Sequence, residues 1–151
     1  SNRTHFFGEI KNKEMILSAL GNEVANAWMQ SIAIRPDMNL SLGEFVVMPN
    51  HFHGIIFIGA NDFNIPGKDA MHGVSTVLGN KFGPQSKNLS SIVRGFKSSV
   101  TTWARKNNIP FHWQDRFHVH MIRNATAYNR ISNYIINNPS QWQEDKFYSQ
   151  L

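Results

Sequence analysis

The feature that most constrains the fold is a pair of short apolar segments with almost nothing between them. Residues 44–48 and residues 51–58 have the length and the residue types of strands, and only Pro49 and Asn50 separate them. Two strands joined by so short a connection pair most simply as an antiparallel hairpin. Such a sheet must bury an apolar face, so the rest of the chain is expected to provide helices that cover it.

Three helices are predicted around this hairpin. Apolar side chains recur every three or four positions in residues 13–32, which predicts an amphipathic helix that Gly21 weakens slightly. Ser90 is the predicted N-cap of a second helix. Its buried stripe is predicted to consist of Ile92, Val93, Phe96, Val100 and Trp103. Residues 125–138 form the third predicted helix, which Pro139 helps to stop.

Two further segments complete the prediction. Residues 117–122 alternate in polarity and predict another strand. Residues 59–88 contain several Gly and Pro without a sustained period, and they predict a long loop. The resulting order of helix, strand, strand, helix, strand and helix favours one α+β domain over residues 1–151, with an antiparallel sheet covered by helices on one face.

Composition limits the chemistry that the chain can perform. There are no cysteines, so disulfides, thiolate metal sites and cysteine nucleophiles are excluded. Fifteen Lys and Arg against ten Asp and Glu give a net charge of +5, which favours a polyanionic partner such as nucleic acid. The sequence has neither an apolar run of membrane-spanning length nor a secretory pattern at its start, so we expect a cytoplasmic protein with no membrane partner.

The candidate metal ligands are two histidines on the second predicted strand. His51 and His53 are two residues apart, so both imidazoles project from one face and can converge on one ion. The alternative is a pair of hydrogen-bonded histidines on a half-buried sheet, and the same spacing recurs at His118 and His120. Spacing alone leaves both interpretations open.

Four blocks in the same order resemble the HUH single-tyrosine transposases, and in particular the REP-associated tyrosine transposases. The first block is VVMPNHFHGII at residues 46–56, and the second is SIVRGFKSSV at residues 91–100. The third pairs WQ at residues 113–114 with MIRN at residues 121–124, and the fourth is NYIINNP at residues 133–139. Members of this family usually begin with one more strand, ahead of the segment at residues 3–8. Two interpretations stay open: the sheet lacks that edge, or the sequence is a fragment.

The resemblance implies a fold, a nucleophile and a metal site. It implies a ferredoxin-like sheet with His51 and His53 on a central strand, and it makes Tyr134 on the late helix the attacking residue. Asn138 occupies the position of a third, amide-type ligand and lies one helical turn after Tyr134. A tyrosine packed on the sheet and an asparagine C-cap remain the alternative interpretations. Ligands of nitrogen and oxygen without thiolate suit Mg²⁺ or Mn²⁺.

The implied activity is the cutting and joining of single-stranded or hairpin DNA by a transposase-like enzyme that forms a 5′-phosphotyrosine intermediate. The alternative is a descendant that binds nucleic acid without catalysis, and either a monomer or a homodimer is compatible with the sequence. The candidate DNA contacts are Arg94, Lys97, Trp113, Arg116, Arg123 and Arg130. Trp113 has the alternative role of a core residue.

Overall fold

The structure is a computed structural model, and it describes residues 4–64, 88–115 and 117–149. The chain is an α+β protein with two small antiparallel sheets. Its strands are β1 (Gly8–Lys11), β2 (Glu14–Leu17), β3 (Leu40–Val47) and β4 (Phe52–Ile58). Its helices are α1 (Ala19–Ala33), α2 (Leu89–Lys106) and α3 (Ala125–Asn137), with short 3-10 segments at Pro36–Met38 and Pro139–Glu144.

The β3–β4 hairpin confirms the prediction from residues 44–58. The two strands pair antiparallel from Leu40 opposite Ile58 to Val47 opposite Phe52. The register shifts between Leu42 and Phe45, where β3 carries one residue more than β4 and so forms a bulge. Within the described residues β4 pairs only with β3, so the histidine strand lies at a sheet edge instead of the predicted central position.

The helix predicted over residues 13–32 is wrong in its first part. Residues 14–17 form β2, which pairs with β1 through a tight turn at Asn12 and Lys13, both with positive φ. The helix begins only after Ser18, whose hydroxyl accepts a hydrogen bond from the Gly21 amide. An apolar residue in β2 fits the helical spacing by coincidence. A segment of four residues is too short to distinguish the period of a helix from that of a strand.

The N-cap of helix α2 is Asn88, two residues before the predicted cap at Ser90. The Asn88 side chain accepts from the Ser91 amide, and the Ser91 hydroxyl accepts from the Asn88 amide. This reciprocal pair satisfies two backbone donors at once, which a cap at Ser90 would not do. The apolar face of the helix is buried largely as predicted, with Ile92, Phe96 and Val100 in the interior.

The main core lies between α1, α2 and one face of the β3–β4 hairpin. Phe52 contacts Trp28 of α1 and Phe96 of α2, with ring centroids 5.1 and 5.2 Å apart. Because side chains alternate along a strand, Phe52, Gly54 and Ile56 face this core. His53 and Phe57 therefore face the other side of β4.

Helix α3 covers that other side, so the helices lie on both faces of the hairpin and the prediction of helices on one face is wrong. Tyr134 of α3 contacts His53, and Tyr128 contacts Phe57, with ring centroids 5.4 and 5.7 Å apart. The helix itself was predicted correctly, because its two ends are fixed by local signals: Asn124 caps the start and Pro139 follows the end. Its placement depends on which face of β4 remains uncovered.

The strand predicted at residues 117–122 is not formed. This segment pairs with no strand in the described part of the chain, and Phe117, Val119 and Met121 are exposed. Alternation predicts a strand only where a neighbouring edge supplies hydrogen bonds and a buried face. Of the predicted loop at residues 59–88, residues 65–87 lie outside the described residues, as does Arg116.

Candidate metal centre

The candidate site begins where β4 begins. His51 directly precedes the strand and His53 lies in it, so the chain places both imidazoles on the face that α3 covers. Their ring centroids are 4.7 Å apart, with an angle of 81° between the planes. The prediction that the two rings converge is confirmed.

Asn50 fixes which nitrogen of His51 points into the site. The Asn50 amide nitrogen donates to the Phe147 carbonyl at 2.9 Å, so its oxygen is the atom that faces Nδ1 of His51 at 2.8 Å. An amide oxygen can only accept, and His51 therefore donates from Nδ1. In the neutral ring the lone pair is then on Nε2, the atom directed toward the site. Such a partner is typical of histidines that bind metals.

Asp145 completes a group of three possible ligands. Its Oδ2 is 3.7 Å from Nε2 of His51, and the ligand atoms of His51, His53 and Asp145 all lie within 4.8 Å of one another. Its other oxygen accepts a hydrogen bond from the Phe147 amide at 2.7 Å, which orients the carboxylate. The lone pair on Nε2 and the carboxylate repel each other at this distance. Their interaction becomes favourable only when a proton or a metal ion between them supplies positive charge. These three residues could hold a metal ion.

Aromatic rings enclose this group. The Trp142 ring stacks on His51 with centroids 6.0 Å apart, and the Phe147 ring packs on it at 4.6 Å. His51 is 8% exposed as a result, and the Asp145 side chain is 2% exposed. Removing water from around charged and dipolar groups strengthens their electrostatic interactions. The segment at residues 139–149 thus provides both a candidate ligand and a low-dielectric cover.

Buried polar atoms without a hydrogen-bond partner among the described residues lie in this group and at the end of α3. They are Nε2 of His53, Oδ2 of Asp145 and Oδ1 of Asn138. A buried acceptor without a partner costs about 1–3 kcal/mol. All three atoms are of the kind that binds Mg²⁺, Mn²⁺ or Zn²⁺, so the donor set fits a divalent ion.

Burial keeps His53 in the form that can bind a metal. Desolvation lowers the pKa of His53 below its ordinary value, the Asp145 carboxylate opposes this effect, and Lys146 adds to it. The neutral imidazole is favoured as a result. Only the neutral ring has a lone pair for an ion.

Tyr134 lies against the histidine pair. Its ring meets His53 edge to face at 5.4 Å, and the side chain is 44% exposed. Asn138, the residue that ends α3, is 3% exposed and lies one turn farther along the same side of the helix. The apolar side of α3 carries the buried Ile135, which leaves Tyr134 accessible to a substrate from outside.

The predicted DNA contacts are not equally available. Arg94, Arg123 and Arg130 are exposed, but Arg94 also interacts within the chain. The Lys97 ammonium donates to the Gln114 carbonyl. The Trp113 ring packs against the core aromatic residues, and its indole nitrogen donates to the Lys97 carbonyl. This packing favours the core interpretation of Trp113.

Sequence reasoning missed Asp145. The residue lies beyond the last predicted helix, in a segment without periodicity or motif, and far along the chain from His51. The one available signal was a pair of acidic residues, Glu144 and Asp145, among aromatic ones at residues 142–148. Only the three-dimensional path of this segment brings it to the start of β4.

The chain is similar in sequence to a known bacterial protein. An uncharacterized protein of Haemophilus influenzae is 40% identical over 151 residues, a match that covers 97% of this chain and 79% of that protein. The chain belongs to the family of that Haemophilus protein. No protein-family model and no solved structure matches the chain. Among the described residues, none of the helices combines the length and the apolarity needed to cross a membrane.

Proposed function

We propose that this protein is a transposase-like enzyme that cuts and joins single-stranded DNA through Tyr134, with a divalent metal ion bound by His51, His53 and Asp145. One observation carries the proposal: an exposed tyrosine lies directly against His53, a partly buried histidine of a potential metal site. The sequence resemblance to the HUH single-tyrosine transposases supports it independently. We propose a cytoplasmic location from the sequence alone.

The metal is Mg²⁺ or Mn²⁺ in this proposal. His51 and His53 contribute imidazole nitrogens, Asp145 contributes a carboxylate oxygen, and Asn138 has a buried amide oxygen with no hydrogen-bond partner among the described residues. Two imidazoles favour Mn²⁺ more than Mg²⁺. When bound, the ion supplies positive charge that polarises a phosphate oxygen and offsets the repulsion between a phosphodiester and its nucleophile.

Tyr134 performs the bond-breaking step. Its phenolic oxygen attacks the phosphorus, the new O–P bond forms, and the bond from phosphorus to the 3′-oxygen breaks. The phenolic proton is lost to solvent, and the departing 3′-oxygen takes up a proton to become a free hydroxyl. The 5′-phosphate remains joined to Tyr134, so the energy of the linkage is retained and a second 3′-hydroxyl can reverse the step without ATP.

Exposed arginines position the DNA. Arg123 precedes α3 and Arg130 lies on it, one turn before Tyr134, so both can contact phosphates near the attacking oxygen. Arg94 on α2 is a further exposed candidate. The substrate in this proposal is single-stranded or hairpin DNA, which is what the family resemblance implies.

The test is a denaturing gel of protein incubated with end-labelled hairpin DNA, with Mn²⁺, Mg²⁺ or EDTA. We expect a covalent adduct that requires metal and is lost in Tyr134→Phe. Tyr148→Phe is the matched control, because it also removes one phenolic oxygen and keeps the ring that packs on Trp142.

Each of the other possible results would indicate a different activity. Cleavage that survives Tyr134→Phe would mean that a water molecule attacks, as in a metal-dependent hydrolase. DNA binding without cleavage in any metal would favour a descendant of a transposase that has lost catalysis. Either result overturns the proposed activity.

A further inference from the structure

A second aromatic pair occupies the other end of the contact between α3 and β4. The rings of Phe57 and Tyr128 are 5.7 Å apart at their centroids, with 43° between their planes. Phe57 is 44% exposed and Tyr128 is partly exposed. An aromatic pair that packs but stays accessible leaves a ring face available for a ligand.

This pair lies in line with the proposed nucleophile. His53 and Phe57 project from the same face of β4, four residues apart, which corresponds to roughly 13 Å along a strand. Tyr134 and Tyr128 are six residues apart on α3, which is about 9 Å along a helix. With a rise of about 3.4 Å per stacked nucleotide, this interval corresponds to a few nucleotides.

Charge along this surface suits a polyanion. No acidic residue occurs in residues 117–143, the stretch that includes the whole of α3. Arg123 and Arg130 are exposed in the same stretch. An exposed ring pair beside cationic side chains is the combination with which proteins hold single-stranded nucleic acid, because bases stack while the backbone is neutralised.

We propose that Phe57 and Tyr128 form a stacking subsite for one unpaired nucleobase, a few nucleotides from the phosphate that Tyr134 attacks. This inference rests on the proposed function for the position of the phosphate, but base stacking itself requires no catalysis. The subsite accepts any base with an exposed face, and it therefore selects single-stranded over duplex DNA without reading sequence.

The test measures binding of fluorescein-labelled single-stranded oligothymidylate in EDTA, where metal-dependent cutting does not interfere. We expect Phe57→Leu and Tyr128→Leu each to weaken binding about tenfold. Phe57→Tyr keeps a ring and should bind much more tightly than Phe57→Leu. The dependence of affinity on salt should be the same in all variants, because no phosphate contact is removed. A melting curve of each variant establishes that it folds.

An abasic scan of the oligonucleotide provides a second measurement on the unmodified protein. One abasic position should weaken binding to the wild type and have little further effect in Phe57→Leu. Affinities within twofold of the wild type for both leucine variants would overturn the subsite, as would equal weakness of Phe57→Tyr and Phe57→Leu. The subsite would also be overturned if both leucine variants bound more weakly and their affinity depended less on salt than that of the wild type. That result would indicate a lost phosphate contact.

The two proposals fail in different ways. Binding that depends on Phe57, together with no Tyr134 adduct, would retain the subsite and overturn the nicking activity. A Tyr134 adduct with binding independent of Phe57 and Tyr128 would retain the activity and overturn the subsite. If the wild type binds no single-stranded oligonucleotide and forms no adduct, both are wrong.

Discussion

At the scale of single residues, Asn50 determines what His51 can do. Its side chain joins the Phe147 carbonyl to Nδ1 of His51, so one amide holds both the histidine tautomer and the segment that carries Asp145. A metal-binding imidazole needs this support on its second nitrogen to keep the ring oriented. The function of Asn50 is therefore separable from the three ligands themselves.

We predict that Asn50→Ala weakens Mn²⁺ binding about 10- to 100-fold, the usual cost of losing a partner of a ligating histidine. Isothermal titration calorimetry at pH 7.5 measures this change directly. Asn22→Ala is the control, because the Asn22 side chain is exposed and its amide donates only to the Ser18 carbonyl of its own helix turn. Equal affinities for Asn50→Ala and the wild type would show that His51 does not bind the ion through Nε2.

His53 gives the protein a predictable response to pH. Burial lowers its pKa, so below the ordinary value near 6.5 the unfolded chain binds a proton that the folded chain binds less readily. The stability from neutral His53 is complete above about pH 6.5 and is lost as the pH falls through the lower folded value. In EDTA, the melting temperature of His53→Gln should therefore fall less between pH 7.5 and 5.5 than that of the wild type. Parallel decreases in both proteins would contradict this expectation.

Part of the site could be predicted from the sequence, and the physical reason differs from residue to residue. His51 and His53 share a strand face, and local alternation is enough to bring their rings together. The contact between Tyr134 and His53 follows from the family resemblance, not from any local rule. Asp145 could not be predicted, because its position depends on a path of the C-terminal segment that Asn50, Trp142 and His51 determine together.

At the scale of elements, two helix glycines have different reasons to be glycine. A side-chain carbon on Gly21 of α1 would lie 2.0 Å from the Phe7 carbonyl oxygen, which belongs to the backbone and cannot move alone. On Gly95 of α2 it would lie 2.4 Å from the end of the Arg35 side chain, which donates to the Ser91 carbonyl but is flexible and can shift more easily than backbone. From the sequence, Gly21 indicates only a slightly weakened helix. In the structure, this glycine allows a close contact between α1 and the N-terminal segment.

We predict opposite effects from the same substitution at these positions. Gly21→Ala should lower the free energy of unfolding by about 1–3 kcal/mol or more, because overpacking outweighs the gain in helix propensity. Gly95→Ala should be close to neutral, or should stabilise by at most about 1 kcal/mol. Urea unfolding followed by circular dichroism measures both. Stabilisation by Gly21→Ala would mean that α1 does not approach Phe7 so closely.

Elements with local stop and start signals were predicted best. Helix α3 has Asn124 before it and Pro139 after it, and its observed bounds match the prediction within one residue. The strand predicted at residues 117–122 depends on a partner edge, which no local pattern can supply. The side of the hairpin on which α3 packs depends on both faces of β4 together, and the sequence does not encode that choice in any single segment.

At the scale of the whole molecule, the candidate metal centre connects distant parts of the chain. His51 and His53 belong to the hairpin, while Asp145 follows the 3-10 segment Pro139–Glu144 after α3. The contacts of Trp142, Phe147 and Asn50 hold this segment on the hairpin, and His5 adds a hydrogen bond to Ser149. An ion shared by the three ligands would therefore stabilise the packing of the C-terminal segment as well as the site.

Metal addition should consequently raise the stability of the entire domain. A ligand at 100 times its Kd stabilises the folded state by about 2.7 kcal/mol. For a domain of this size, that corresponds to an increase in melting temperature of about 5–10 °C, which EDTA should reverse. Asp145→Asn should abolish most of the increase, whereas Glu144→Gln removes a neighbouring exposed carboxylate and should retain it.

The same experiment separates a shared ion from an ordinary ionic effect. If the ion links Asp145 to the hairpin, Mn²⁺ should also slow proteolysis within residues 139–149 of the wild type. The rate of proteolysis in Asp145→Asn should not change, because only the wild type would use the ion to hold that segment. A melting temperature that rises equally in wild type and Asp145→Asn would place the ion elsewhere. In that case the carboxylate 3.7 Å from His51 would function only as the partner of a protonated imidazole, and the C-terminal segment would be held by its aromatic contacts alone.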